Sequence, residues 1–169
     1  YRRIRTTLGV TYDTPPQYIE AFCSGIRDII VLHPYTRKDY FHVYFNEFSD
    51  SSLNILLYVF HECPDWGTEL RERHRLFHDI VALAEAMGVE FAFPTQTLHV
   101  EGLDAMPLPQ SANNKSKSRP VIEGNPAEWG RKMAREVVAR NLAENSIPAV
   151  VNPDNMNSMT LEFNAEAEK

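Results

Sequence analysis

Two histidines four residues apart, His74 and His78, carry the most suggestive spacing in this chain of 169 residues. On a helix that interval places both imidazoles on one side, where they can share a metal ion. The intervening Arg75-Leu76-Phe77 lacks the glutamate of a zinc-hydrolase helix, so the pair reads as helix-surface histidines. His61, Glu62 and Cys63 form a second cluster of ligand types just before that helix. Ser24 precedes Gly25 inside a helical pattern, without the flanking glycines of a nucleophile elbow. The 7 glycines form no phosphate-cradling loop, and the carboxylates are scattered over helix faces without an acid–base pair. The chain reads as a non-enzyme, with no catalytic residue, metal or cofactor.

Composition narrows the partners. A hydrophobic share of 43% with 24% charged residues is that of an ordinary globular domain. The formal net charge of -6 argues against nucleic acid, whose phosphates call for a basic surface. Only two cysteines are present, Cys23 and Cys63, both in apolar or half-apolar segments, which points to free thiols in a reducing compartment. No apolar run reaches the roughly 18 residues of a membrane-spanning helix.

The elements follow from the hydrophobic periods. Tyr1 to Tyr12 alternate as a strand, and the chain opens on this pattern without an initiator methionine, as a piece of something longer would. Thr14, Pro15 and Gln17 read as the start of a helix whose apolar face is Ile19, Phe22, Cys23, Ile26, Ile29 and Ile30. His33-Pro34 ends it. Phe41–Glu62 then reads as a β-hairpin turning at Ser49-Asp50-Ser51-Ser52. Its second strand is apolar at nearly every position from Leu53 to Phe60, which predicts a central strand covered on both faces.

Asp65 or Thr68 caps a second helix with a stripe of Leu70, Phe77, Ile80, Val81, Ala84 and Met87, and Gly88 supplies its left-handed end. Glu69, Arg71, Glu72, Arg73 and Arg75 crowd its first turns. Val89 to Phe93 reads as one more strand, stopped by Pro94. The order is β-α-β-β-α-β: an α+β, ferredoxin-like split sheet with two helices on one face, whose open face suggests association with other copies.

Residues 101–124 read as a linker, rich in Pro, Ser, Asn and Lys. Asn125-Pro126 then opens a tail helix over 125–146, with a stripe of Trp129, Met133, Val137, Val138 and Leu142 and nearby basic residues. A basic amphipathic helix suits a membrane surface or a partner groove, and docking on its own protein is the plainer reading. Residues 147–169 read as weakly ordered.

Three blocks, Arg5-Thr6-Thr7-Leu8-Gly9-Val10-Thr11-Tyr12-Asp13-Thr14-Pro15-Pro16, Asp39-Tyr40-Phe41-His42-Val43-Tyr44-Phe45 and Asp50-Ser51-Ser52-Leu53-Asn54-Ile55-Leu56-Leu57-Tyr58, stand in order along the chain. With Phe91-Ala92-Phe93-Pro94-Thr95-Gln96-Thr97-Leu98-His99 they resemble the C-terminal cytoplasmic α/β domain of the small-conductance mechanosensitive (MscS-like) channels, over nearly all of residues 3–100.

That resemblance implies a homoheptamer in the inner membrane, opening under tension to release ions and solutes after a hypoosmotic fall. It implies that residues 1–4 end an upper β-domain and that 5–93 form the cytoplasmic α/β domain, one wall of a hollow cage that sieves solutes through lateral portals. Residues 94–100, with Thr95, Gln96, Thr97, Leu98, His99 and Val100, would give one strand of an oligomeric barrel. The portal lining is not assigned, and the membrane helices and the role of the tail helix fall outside the resemblance. The alternative is a stand-alone regulatory module of the same fold that binds a small molecule, for which a ligand-dependent shift in melting temperature is the discriminating sign.

Overall fold

The computed structural model describes residues 2–93 and 118–144. Six elements follow in order: β1 (Arg2–Val10), α1 (Pro16–Leu32), β2 (His42–Phe48), β3 (Leu53–His61), α2 (Trp66–Met87) and α3 (Pro126–Ala143). The three strands form one antiparallel sheet in the order β1-β3-β2. The apolar second strand of the hairpin is therefore central, as its composition predicts. Its burial alternates along Leu53, Ile55, Leu57, Val59 and His61, which face the helices, with Asn54, Leu56, Tyr58 and Phe60 only half-buried on the other side. Two-sided cover is thus not reached among the described residues. The helices cover one face alone.

The strand expected over Val89–Phe93 is cut down to a single antiparallel bridge, Val10 to Phe91. Thr11 N–H donates to the Glu90 carbonyl at 3.0 Å and Ala92 N–H to the Gly9 carbonyl at 2.9 Å, placing the segment beside β1 in the position of a fourth strand. The next residue in sequence, Pro94, has no N–H to give to a ladder. The expected barrel strand, Thr95 to Val100, lies outside the described residues, as do 145–146 of the expected tail helix.

Local chemistry sets the helix ends. Asp65 caps α2, accepting from Thr68 N–H at 2.8 Å, and Gly88 ends it with φ 68°. Asn125 caps α3 through Ala127 N–H and Glu128 N–H. α1 departs from expectation by one residue. Pro15 is its N-cap and Pro16 its first helical residue, while the Thr14 hydroxyl is engaged with that of Thr11 at 3.2 Å instead of capping.

Two helix faces are rotated from the sequence reading. On α2, Leu70 and Val81 are exposed, whereas Glu69, Glu72, Leu76, Asp79 and Leu83 are buried with Ile80, Ala84 and Met87. On α3, Leu142 is exposed and the buried set is Trp129, Gly130, Ala134, Val137, Val138 and Asn141. The reason is common to both: the helices are positioned by tight contacts and ion pairs that a hydrophobic count does not register.

α3 docks on its own chain. It lies against α1, so that α1 is buried both where Phe22, Ile26 and Ile29 meet the sheet layer and at Ala21, Ser24 and Gly25. The approach is close because both helices are bare at the crossing. A methyl group on Gly130 would lie 1.9 Å from the Ala21 carbonyl oxygen, and one on Gly25 would lie 2.9 Å from the Gly130 oxygen. Tyr18 and Trp129 meet edge to face at 6.1 Å, Arg135 pairs with Asp28 at 2.8 Å, and Asn141 donates to the buried Asp79 at 2.7 Å. Ahead of α3, Tyr18 O–H donates to the Pro120 carbonyl, and Arg119 bridges the Gly88 carbonyl and Asp13.

Gly130→Ala should therefore lower stability by about 1–3 kcal/mol through overpacking against backbone. In limited proteolysis of that variant the region 118–144 should be cut faster than the sheet domain. Unchanged melting and unchanged cleavage would contradict the crossing described here.

Candidate functional site

Two groups of side chains stand apart from ordinary core and surface. The first lies on the face of the sheet turned away from the helices. Strand register aligns its rows: Arg3 beside Phe60, then Arg5, Tyr58 and His42, then Thr7, Leu56 and Tyr44. Tyr40, arriving from the preceding loop, completes an aromatic cluster. Its ring centroid lies 4.9 Å from His42, 6.2 Å from Tyr58 and 5.9 Å from Phe60, and Tyr58 and Phe60 are 5.2 Å apart. Edge-to-face pairs of this kind hold one another in place and leave broad apolar area outward. Tyr40 is 46% exposed and Tyr44 56%, with Arg3 and Arg5 exposed beside them. Around the edge of β2, Arg27 reaches the Val43 carbonyl at 2.6 Å and places its guanidinium 5.0 Å from the centre of the Tyr44 ring. Such a face, aromatic in its middle and cationic on the β1 side, has the composition of a protein contact.

The second group is buried at the end of the sheet where β1 begins. His61 closes β3 opposite Arg2, and Thr36 bridges to His61 from the loop after α1. The His33 and His61 rings pack edge to face at 5.5 Å. Tyr35 N–H donates to His33 Nδ1 at 3.2 Å, which leaves the proton of the neutral ring on Nε2, 3.4 Å from Glu72 Oε2. That separation is within reach, but the alignment is too poor for a hydrogen bond.

Glu72, 1% exposed, is neutralised instead by Arg71 at 2.6 Å and Arg75 at 3.7 Å. Glu69 pairs with Arg2 at 2.9 Å and Arg73 at 2.5 Å. Lys38 Nζ donates to the Ile30 and His33 carbonyls and so sets a cation on the C-terminal end of α1. Burial drives the His33 pKa down to about 3, helped by the charges of His61, Arg75 and Lys38, and that of His61 down to about 4, helped by Arg73. Both rings are neutral in the folded domain.

The ligand candidates read from the sequence separate in space. His74 and His78 stack with centroids 6.2 Å apart on the exposed side of α2, and His78 faces Asn141 of α3. His61 is wholly buried, Glu62 is exposed, and Cys63 is a free thiol. Among the described residues no three of His, Cys, Asp and Glu converge as a metal-binding group. Ser24 is buried within α1, its hydroxyl turned to Glu20 at 3.3 Å. The buried role of Glu69 and Glu72 went unread in the sequence, although alternating acids and bases on two successive helical turns were its visible signal.

Comparison with known proteins gives these surfaces a context. The chain is 33% identical over 103 residues to the low conductance mechanosensitive channel YnaI of Escherichia coli, covering 60% of this chain and 30% of that protein. An MscS family protein of Aquifex aeolicus is 35% identical over 101 residues, 59% of this chain and 27% of its own. The small-conductance mechanosensitive channel MscMJ of Methanocaldococcus jannaschii is 34% identical over 100 residues, 59% and 28%. The chain thus spans about 30% or less of the length of these relatives. The family is one of ion channels, not enzymes.

Glu72→Gln should destabilise the domain by about 3–5 kcal/mol, because Arg71 and Arg75 would keep their charge in a buried site without its counter-ion. Urea unfolding checks this, and a loss under about 1 kcal/mol would place the pair effectively in solvent.

The family model of the C-terminal region of the mechanosensitive ion channel MscS matches residues 4–91, more than half of the chain, and the chain belongs to that family.

Proposed function

We propose that this chain forms part of the cytoplasmic cage of a tension-gated channel, in which the α/β domains of several subunits stand side by side and ions and solutes pass between them. The observation that carries the reading is the open sheet face. A family domain with a sheet covered on one side, and an aromatic and cationic surface on the other, is built for a neighbour. In a ring each subunit uses one face toward the next and a different one toward the last, so this face meets another surface of the following copy. Seven copies is the stoichiometry proposed, with Thr95 to Val100 supplying one strand each to a closing barrel. The cage acts as a sieve beneath the pore, and acidic rims at its openings raise the local cation concentration. Release of solutes on hypoosmotic shock is the whole channel's task. Among the described residues no helix is long and apolar enough to cross a bilayer, and the proposal assigns the membrane-spanning helices to other parts of the channel.

The mass of the 169-residue chain under native conditions at micromolar concentration is the direct test. A seven-fold species supports the cage, whereas a stable dimer favours a regulatory module. The pair Arg5→Ser and Tyr44→Ser, both on exposed positions, should lower stability by no more than about 1–2 kcal/mol, through the lost Arg27–Tyr44 contact and the lower strand preference of serine. The same pair should weaken association roughly tenfold or more in the assembled channel. Removal of residues 95–100 should also weaken assembly, because a barrel with one strand per subunit joins all copies by backbone hydrogen bonds. An oligomer indifferent to both changes refutes the proposed contacts.

A further inference from the structure

The buried histidine pair has no part in the channel reading, and its packing gives it a role of its own. Four pieces of chain meet at these two rings. α1 contributes its C-cap, His33, and the loop after it contributes Thr36 and Lys38. β3 contributes His61, with β1 placing Arg2 alongside it. α2 supplies Glu69, Glu72, Arg71, Arg73 and Arg75. Glu62, exposed just after β3, acts on Lys38 from outside.

The cations Arg2, Lys38, Arg71, Arg73 and Arg75 thus surround two imidazoles, against the two buried carboxylates Glu69 and Glu72. Those carboxylates are already held by Arg2, Arg73, Arg71 and Arg75. His33 is 2% exposed and His61 0%, and among the described residues neither ring nitrogen of His61 has a hydrogen-bond partner. A proton added to His33 must go to Nδ1, against the Tyr35 N–H, and one added to His61 finds no acceptor at either nitrogen. The nearest carboxylate oxygen, Glu72 Oε2, faces the Nε2 side of His33 at 3.4 Å and already has Arg75 at 3.7 Å.

We propose that His33 and His61 form a proton-triggered latch, closed while both rings are neutral, whose protonation frees the 33–40 loop and the first turns of α2 from the end of β3. The segment released is the one that fixes where β1 enters the domain, through Arg2 and Glu69. The inference rests on packing within one copy and holds whatever the assembly.

The sign follows from proton binding. In the closed domain both rings resist protons down to about 3 and 4, whereas an opened ring takes one up near its ordinary 6.5. Below 6.5 the open form binds more protons, so the latch holds at neutral pH and weakens as pH falls toward 4. Between about pH 7 and pH 5 the opening equilibrium should rise about 25-fold if one ring is released, and several hundredfold if both are.

Hydrogen exchange of the 169-residue chain, corrected for the intrinsic rate at each pH, measures that opening in peptides covering 33–40 and 61–75. The double variant His33→Gln, His61→Phe should respond less than about threefold over the same range. The glutamine side-chain carbonyl accepts from the Tyr35 N–H as the His33 ring does, and the phenyl ring keeps the aromatic contact of His61. An equal pH response in the variant, or none in the parent protein, overturns the latch. Should the variant fail to fold, the imidazole carbon and proton resonances of the parent chain decide the matter. His33 and His61 should keep neutral-form shifts at about pH 5 in the folded species, and a folded-state midpoint near the ordinary value of about 6.5 for either would overturn the proposal.

Discussion

The close crossing of α1 and α3 is the contact on which the arrangement of the helical layers depends. α1 alone could cover only part of a three-stranded sheet, with its second side left to water. Gly25 and Gly130 remove two side chains at the crossing and let a second helix settle on that side. Ala21 of α1 is consequently sealed, and Trp129, Val137 and Val138 of α3 are buried. Burying an aliphatic or aromatic side chain of this size contributes about 1.5–3 kcal/mol, so the seal is worth more than any surface ion pair in the domain. Asn141 on Asp79 and Arg135 on Asp28 then fix the rotation of α3 about its axis. α3 lies beyond the residues matched by the family model, and it nevertheless shares the core of the matched domain.

The two faces of the sheet divide the work. One is packed by helices. The other carries Tyr40, His42, Tyr44, Tyr58 and Phe60 in mutual contact, with arginines to one side, and leaves a broad aromatic and cationic surface exposed. At one end of the same sheet the charged cluster around Glu72 gives the domain a region whose stability is electrostatic.

Much of this was readable along the chain. The alternation in β1 and β3, the capping Asp65 and Asn125, the terminal Gly88 and the free cysteines each depend on neighbours a few residues away. The resemblance of the blocks around Arg5, Asp39 and Asp50 to mechanosensitive channels agrees with the family match over residues 4–91. The misreadings have one origin. Leu70 and Leu142, read as part of the apolar stripes, are exposed, while Glu69 and Glu72, outside those stripes, are buried. Burial of a carboxylate is decided by whether cations reach it, and Arg2 comes to Glu69 from 67 residues away.

The order and the ends of the elements were set within the sequence, since helix caps, turn residues and periodicity act over a few bonds. Which faces those elements present was settled only by the folded chain. Folding shortened the fourth strand to one bridge beside Val10, laid α3 across α1 where two distant glycines coincide, and enclosed two neutral histidines among arginines. Each of these outcomes depends on groups far apart in sequence coming within a few ångströms of one another. No local pattern carries that information, because the energy involved exists only once the chain has closed on itself.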